Sequence, residues 1–319
     1  MASRKPRRPV DGVLVLDKPL GVSSNAALQI ARRLLGAEKA GHTGTLDPLA
    51  TGVLPLCFGA ATKLAQVSLD ADKRYLATLR FGATTSTGDR EGEVLSSAGA
   101  SVGRDELEAA CARFTGRLRQ RPPMHSALKK DGKPLYEYAR AGIEVERVER
   151  EATVHAIAIV DGEADLWTID VACSKGTYIR TLAEDLGRAL GCGAHLWALR
   201  RTGSGHLSLV DSVTIEALEA VPEERRASML LPADALVAHW PAIQLGDDEA
   251  GRFLAGMRRP VDLADAPTVR VYGPDPAAFL GIGHVVAGEL IATRLLSPAE
   301  VGRIAAPTCQ SFVSAGLTP

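Results

Sequence analysis

Residues 41–55 read GHTGTLDPLATGVLP. Within the first twelve of them, Gly41, Gly44 and Gly52 and Thr43, Thr45 and Thr51 surround one carboxylate, Asp47, followed by Pro48. The stretch lacks periodicity and is dense in Gly, Thr and Pro, so it reads as a loop. Glycines permit close backbone approach, and a lone Asp on such a loop can serve as nucleophile or base. The plainer reading is a turn Asp ahead of Pro48. The Lys and the spacing of a phosphate-binding P-loop are absent, as is the G-x-S-x-G elbow of a serine hydrolase.

Outward from this loop, strands and helices interleave. Residues 12–16 form an apolar run that predicts a strand. Ser23, Ser24 and Asn25 offer an N-cap, Leu28, Ala31, Leu34 and Leu35 recur at helical spacing, and Gly36 is a natural stop. Residues 60–68 read as helical, 74–81 as a strand, 84–92 as turn material and 105–114 as a helix with Leu107, Ala110 and Cys111 inward. Asp131-Gly132 signals a tight turn, and a short helix from Pro134 to about Ala141 follows. Residues 153–160 and 166–173 predict two strands, with Asp161-Gly162 as their hairpin turn. Residues 177–190 form the clearest amphipathic helix, with Ile179, Leu182, Ala183, Leu186 and Leu190 on one side. A strand at 195–201 and a short helix at 213–220 come next. Beyond Pro232 the texture changes, and three short strands at 268–272, 279–286 and 290–295 predict a small β domain. No regular β-α-β alternation appears, so the fold class is α+β.

The chain has 319 residues, 46% hydrophobic and 24% charged, which excludes a disordered or collagen-like chain. No apolar run is long enough to span a bilayer. The basic residues Arg4, Lys5, Arg7 and Arg8 precede no apolar h-region, so no secretory signal is read there. The five cysteines, Cys57, Cys111, Cys173, Cys192 and Cys309, are widely spaced with no C-x-x-C, and free thiols are expected. The seven histidines form no H-x-x-x-H pair, so no metal is expected. The formal net charge of −1 gives no sign of a polyanion partner. Locally the picture differs. Residues 113–133 hold Arg113, Arg117, Arg119, Arg121, Lys129, Lys130 and Lys133 against Asp131 alone, a net +6, whereas 241–319 carry net −2. Such runs are usually solvated faces, and this one is kept as a candidate polyanion contact. Tyr75 and Tyr178 stand in polar contexts and Arg180 beside an apolar helix face, each with a bland alternative: two half-buried packing tyrosines and a snorkelling arginine.

Taken together, these pieces resemble the TruB-type pseudouridine synthases. The 41–55 stretch looks like that family's catalytic motif. DGVLVLDKPLGVSS (11–24) resembles its Lys-Pro motif and KRYLATL (73–79) its Tyr motif. CSKGTYIRTLAEDLG (173–187) and GAHLWALRRTG (193–203) resemble its Arg and Leu motifs. RPPMHSALKKDGKPLYEYARAG (121–142) resembles the bacterial stand-alone branch, which often carries an aromatic where this chain has His125. The resemblance spans roughly residues 11–215.

The resemblance implies an α+β pseudouridine synthase fold: a mixed, largely antiparallel sheet flanked by helices, plus a small C-terminal β-rich PUA-like domain. The expected layout is a flexible basic arm at 1–10, a catalytic domain at 11–240 and the PUA-like domain at 241–319. The implied activity isomerises uridine 55 in the T-loop of tRNA, without cofactor or metal. By position, Asp47 is the catalytic carboxylate and Arg180 the partner that keeps it ionised. Tyr75 stacks on the uracil and helps remove the C5 proton, and Tyr178 and Leu199 line the uracil pocket. Lys18 stands near the catalytic loop, and His42 fills the space of the flipped base. Lys129, Lys130 and Arg121 contact RNA phosphates. The expected partner is the T-arm stem-loop of tRNA, met by a cytoplasmic monomer with no obligate protein partner and no membrane contact. Competing readings are a guide-RNA-dependent pseudouridylase, a non-catalytic RNA-binding or folding module, and, more weakly, a glycoside hydrolase.

Overall fold

A computed structural model describes residues 6–275 and 278–305. Arg4, Lys5 and Cys309, named above, lie outside the described residues, as does the rest of 306–319. In chain order the elements begin with β1 (Gly12–Lys18), α1 (Ser24–Leu34), β2 (Ala40–His42), β3 (Ala50–Phe58), α2 (Ala65–Asp70), β4 (Lys73–Phe81), β5 (Ala83–Thr85) and β6 (Val94–Ser97). There follow α3 (Arg104–Arg113), β7 (Gly116–Gln120), β8 (Lys129–Lys130), β9 (Lys133–Pro134), α4 (Leu135–Arg140), β10 (Arg150–Glu163), β11 (Leu166–Cys173), α5 (Ile179–Ala189), β12 (Ala194–Ser204), β13 (Leu207–Ser208) and α6 (Ile215–Ala220). The chain continues with β14 (Ala242–Gln244), α7 (Asp247–Leu254), β15 (Arg259–Pro260), β16 (Ala266–Tyr272), β17 (Phe279–Val286), β18 (Glu289–Leu295) and α8 (Pro298–Ala305). No helix among the described residues is long and apolar enough to cross a membrane.

The main sheet runs β1-β3-β12-β4-β11-β10-β7, with β2 added to β3 and β13 to β12. Every pairing on this path is antiparallel except β12 with β3, which run parallel through Leu199–Ala50 to Arg201–Gly52. The mixed, largely antiparallel sheet expected of an α+β fold is therefore present. On one face, α3 and α5 bury Leu107, Ile179, Leu182 and Leu186 against Leu79, Ile169 and Val171. At the other end of the sheet, Leu14, Leu16, Leu54 and Leu56 pack on α1, while Val13, Val15, Val53 and Cys57 pack the opposite way. That second layer includes Phe279 and Ile282 of the C-terminal sheet, so the two sheets share a core.

This two-sided burial corrects the reading of residues 41–55 as loop throughout. Residues 43–49 are loop, but Ala50 onward is β3, a strand with eight of its nine residues buried. A strand covered on both faces shows no period-2 alternation for sequence to reveal. Gly52 belongs to that strand for a packing reason: a Cβ there would sit 2.2 Å from the Arg201 carbonyl oxygen.

The hairpin turn expected at Asp161-Gly162 is also displaced. Both residues are paired inside β10, opposite Thr168 and Trp167, and the chain turns at Ala164 with φ 51°. Gly162 is needed because a Cβ would lie 2.5 Å from the Leu166 carbonyl oxygen. By contrast, Asp131 and Gly132 both take positive φ in the tight turn between β8 and β9.

The C-terminal sheet has five strands, ordered β14-β16-β17-β18-β15, rather than the three expected. The two short edge strands, three and two residues long, were too brief to leave a pattern. Its core is Ile243, Phe253, Val271, Leu280 and Leu290.

Candidate active site

The loop at 43–49 is held from several sides. Ser24, in the first turn of α1, accepts from the Leu46 N–H at 2.7 Å and donates to the Leu46 carbonyl at 2.9 Å. The Gly21 N–H donates to the Pro48 carbonyl at 2.8 Å, and the Ala50 N–H to that of Asp47 at 3.0 Å. Thr43 is tied to Pro55 through its N–H at 3.1 Å and to Ser68 through its hydroxyl at 3.0 Å. A loop pinned this way presents its carboxylate in a fixed place.

That carboxylate faces Arg180 from the first turn of α5, with Arg180 Nη2 and Asp47 Oδ2 3.0 Å apart. Arg180 is itself fixed. Its Nη1 donates to the Thr87 carbonyl at 3.2 Å and stands 3.7 Å from Asp89 Oδ2, and its Nη2 donates to the His125 carbonyl. Asp89 is buried and accepts from the Thr87 hydroxyl at 2.6 Å and the Glu91 N–H at 3.1 Å. The start of α5 is clamped by buried Gln120, which accepts from the Tyr178 N–H at 2.9 Å and donates to the Tyr178 carbonyl at 3.3 Å.

The side chain of Arg180 is 7% exposed and that of Asp47 40% exposed. Burial pushes the Asp47 pKa up, Arg180 opposes it, and neighbouring Asp89 adds to the rise. Arg180 acts in the expected direction, favouring the ionised form of Asp47, and desolvation is the larger, opposing effect. Tyr75, on β4, is likewise pushed up by burial, with Arg201 opposing. The His42 pKa is pushed down by burial and by Arg201, which favours a neutral ring. Lys18 is fully buried, and its ammonium donates to the Pro19 carbonyl at 2.9 Å and to that of Val22. Burial lowers its pKa to about 8.

A cavity of about 270 Å³ brings Asp47, Tyr75, Tyr178, Arg180 and Leu199 together. Asp47 and Arg180 also form part of the wall of an adjoining cleft of about 540 Å³, which holds His42, His125, Tyr136 and Arg140. His42 thus stands beside the pocket that carries Tyr75, and Lys18 braces the neighbouring backbone. Arg121 lines a third cleft with Arg119, Arg147 and Arg188. Lys129 is exposed on β8, and Lys130 donates to the Glu146 carbonyl at 3.2 Å. These three cations do not reach the central cavity.

Sequence reasoning did not single out Asp89, Gln120 or Arg201, and it read Ser24 only as a helix-cap candidate. Asp89 and Gln120 left no local signal. Arg201 left only its place beside Arg200 at the polar end of the 195–201 strand. Among the described residues no group of three His, Cys, Asp or Glu is placed to hold a metal ion.

Comparison with known proteins adds names to this geometry. Residues 32–179 match the TruB family pseudouridylate synthase N-terminal domain, 180–238 the tRNA pseudouridylate synthase B C-terminal domain, and 241–296 the C-terminal domain of pseudouridine synthase II TruB. A curated protein of Ralstonia nicotianae, "tRNA pseudouridine synthase B", is 57% identical over 303 residues, covering 92% of this chain and 96% of its own. Its namesake from Cupriavidus metallidurans is 56% identical with the same coverage. Among solved structures, a Cbf5-Nop10-Gar1 complex contains a chain 27% identical with a TM-score of 0.68, covering 90% of this chain and 84% of that one. An H/ACA RNP bound to a substrate RNA aligns with a TM-score of 0.69 at 24% identity, over 91% and 86% of the two chains, a likeness of fold.

Proposed function

The chain belongs to the TruB family of pseudouridylate synthases, a family of isomerases, and from that premise we propose that it converts uridine 55 in the T-loop of tRNA to pseudouridine. The observation that carries this reading is the Asp47–Arg180 pair opening into a cavity lined by Tyr75, Tyr178 and Leu199. The reaction breaks the N1–C1′ bond, turns the uracil and forms a C5–C1′ bond. The C5 proton is lost and N1 gains one, so the product is an isomer and no oxidant or reductant is consumed.

Asp47 supplies the carboxylate, to C6 of the base or to C1′ of the sugar. Its raised pKa makes it a better nucleophile than an ordinary Asp while Arg180 keeps a charged form within reach. Tyr75 stacks on the uracil and helps to remove the C5 proton. Tyr178 and Leu199 hold the ring in plane. The base must leave the RNA stack to arrive there, at a cost of about a few kcal/mol. His42, in the adjoining cleft, stacks into the space left behind. The exposed cations Arg121 and Lys129, together with Lys130, meet phosphates of the same stem-loop and position it without reading sequence. The protein acts as a cytoplasmic monomer and recognises the folded arm itself.

A guide-RNA-dependent enzyme is the alternative that the H/ACA likeness raises. The test is the pure protein with an unmodified tRNA transcript carrying 5-tritiated uridine. Tritium release without any added RNA or protein, with pseudouridine mapped to position 55 alone, is the expected result. Release only after a guide RNA or further proteins are added would overturn the reading.

A further inference from the structure

Arg201 is among the largest fully buried side chains of the protein, 1% exposed. It lies on β12 two residues beyond Leu199 and lines the same cavity as Asp47 and Tyr75. Its Nε donates to the Val53 carbonyl at 2.6 Å, which fixes the plane of the guanidinium. Its Nη2 has no hydrogen-bond partner among the described residues. Arg180 faces two carboxylates, whereas Arg201 forms no salt bridge among the described residues.

A buried cation without a counter-charge is costly to the fold, and the surroundings add to that cost. Arg201 is one of the charges that push down the pKa values of Lys18, His42 and Lys73. Those lysines are committed elsewhere. Lys18 donates to Pro19 and Val22, and Lys73 to the carbonyls of Ser68, Leu69 and Ala71. Arg201 also donates a hydrogen bond to the Tyr75 hydroxyl, and its Nη2 is left as a spare donor among the described residues. Such a group is stabilised when an anion forms beside it.

The proposed reaction forms one. If Asp47 attacks C6, the C5–C6 π pair moves through C4 onto O4 and the ring becomes an enolate. If the N1–C1′ bond breaks first, its electron pair stays on the uracil, spread over N1, O2 and O4. In both cases a ring oxygen carries negative charge until the pair returns to form the C5–C1′ bond; the C5 proton then leaves, N1 is protonated, and any bond made to Asp47 breaks with its pair returned to the carboxylate. We propose that Arg201 donates a hydrogen bond from Nη2 to that oxygen, making it a second cationic catalytic residue beside Arg180. The assignment rests on the pseudouridine synthase reading and is independent of which carbon Asp47 attacks. A donor already oriented in a dehydrated cavity acts more strongly on such charge than water does.

The test compares wild type with Arg201→Met and Arg201→Lys in single-turnover assays and in tRNA binding. Arg201→Met should bind tRNA within about threefold of wild type and lose about 100-fold or more in rate, in the range found when one anion-stabilising donor is removed. Arg201→Lys should recover part of that loss. A merely structural role is separated by tRNA containing 5-fluorouridine, whose fluorine stabilises the ring anion on its own. Consumption of 5-fluorouridine should be slowed less by Arg201→Met than consumption of uridine is. Equal slowing of both substrates, or an unslowed Arg201→Met, would overturn the assignment. Wild type inactive on tRNA would instead overturn the underlying function.

Discussion

The central cavity and the segment 113–133 use the same kinds of charged residue in opposite settings. In the cavity wall, Arg180, Arg201 and nearby Lys18 are buried with Asp89 and the partly buried Asp47. In the segment, Arg113, Arg117, Arg119, Arg121 and Lys129 are exposed, and Arg119 pairs with Glu149 at 3.5 Å. Exposed charges are screened by water and salt, so they attract and place a polyanion but perturb little. Buried charges lose hydration, shift pKa values and act on bonds. A charge count finds the first group and misses the second.

Variants that remove a charge from either group sharpen this contrast. The largest effect is expected for Arg180→Met, which leaves Asp89 and Asp47 without their cation. Tritium release should fall by at least about 100-fold, and denaturant unfolding should show a loss of about 3–5 kcal/mol. A stable, active variant would show that the buried pair is not special.

The pH profile tests the same setting. Burial raises the Asp47 pKa, so the acid limb of activity should lie at higher pH than an ordinary carboxylate gives. The stability sign is opposite to that of a salt-bridged surface Asp. The folded state holds the proton more tightly, so this group favours folding at low pH and weakens it as pH rises from the unfolded value toward the folded one. Lys18→Met removes a charge that lowers the Asp47 pKa and should move the acid limb further up. An unmoved limb would mean that Asp47 does not set it.

Ser24→Ala should cost about 1–3 kcal/mol, because the Leu46 N–H and carbonyl each lose a partner. The rate should fall through misplacement of Asp47, with tRNA affinity little changed. The smallest effects belong to the exposed group. Lys129→Ala and Lys130→Ala should weaken binding and reduce its salt dependence by roughly one per lost phosphate contact, with the single-turnover rate of bound tRNA unchanged. An unchanged salt slope would remove β8 from the footprint.

Much of the framework was readable beforehand where burial is one-sided. The amphipathic pattern of α5 and the cap at Ser23 follow from period and chemistry, and both are seen. Where both faces are covered, as in β3, the pattern vanished and strand was taken for loop. Gly162 misled for a related reason: its lack of a side chain serves close packing against Leu166 and Trp167, not a turn. Asp47, Tyr75, Arg180 and Leu199 were found through ordered motifs, and the cavity joins them. Asp89 and Gln120 meet α5 through contacts between distant segments, which no local pattern carries.

The central claim is that Asp47, held by Arg180 at the cavity, performs the isomerisation. It is tested most directly by tritium release from 5-labelled uridine in tRNA, wild type against Asp47→Asn, with binding measured on the same preparations. The account predicts tRNA binding near the wild-type level and no release above background. Release by a pure Asp47→Asn protein at a comparable rate would contradict it.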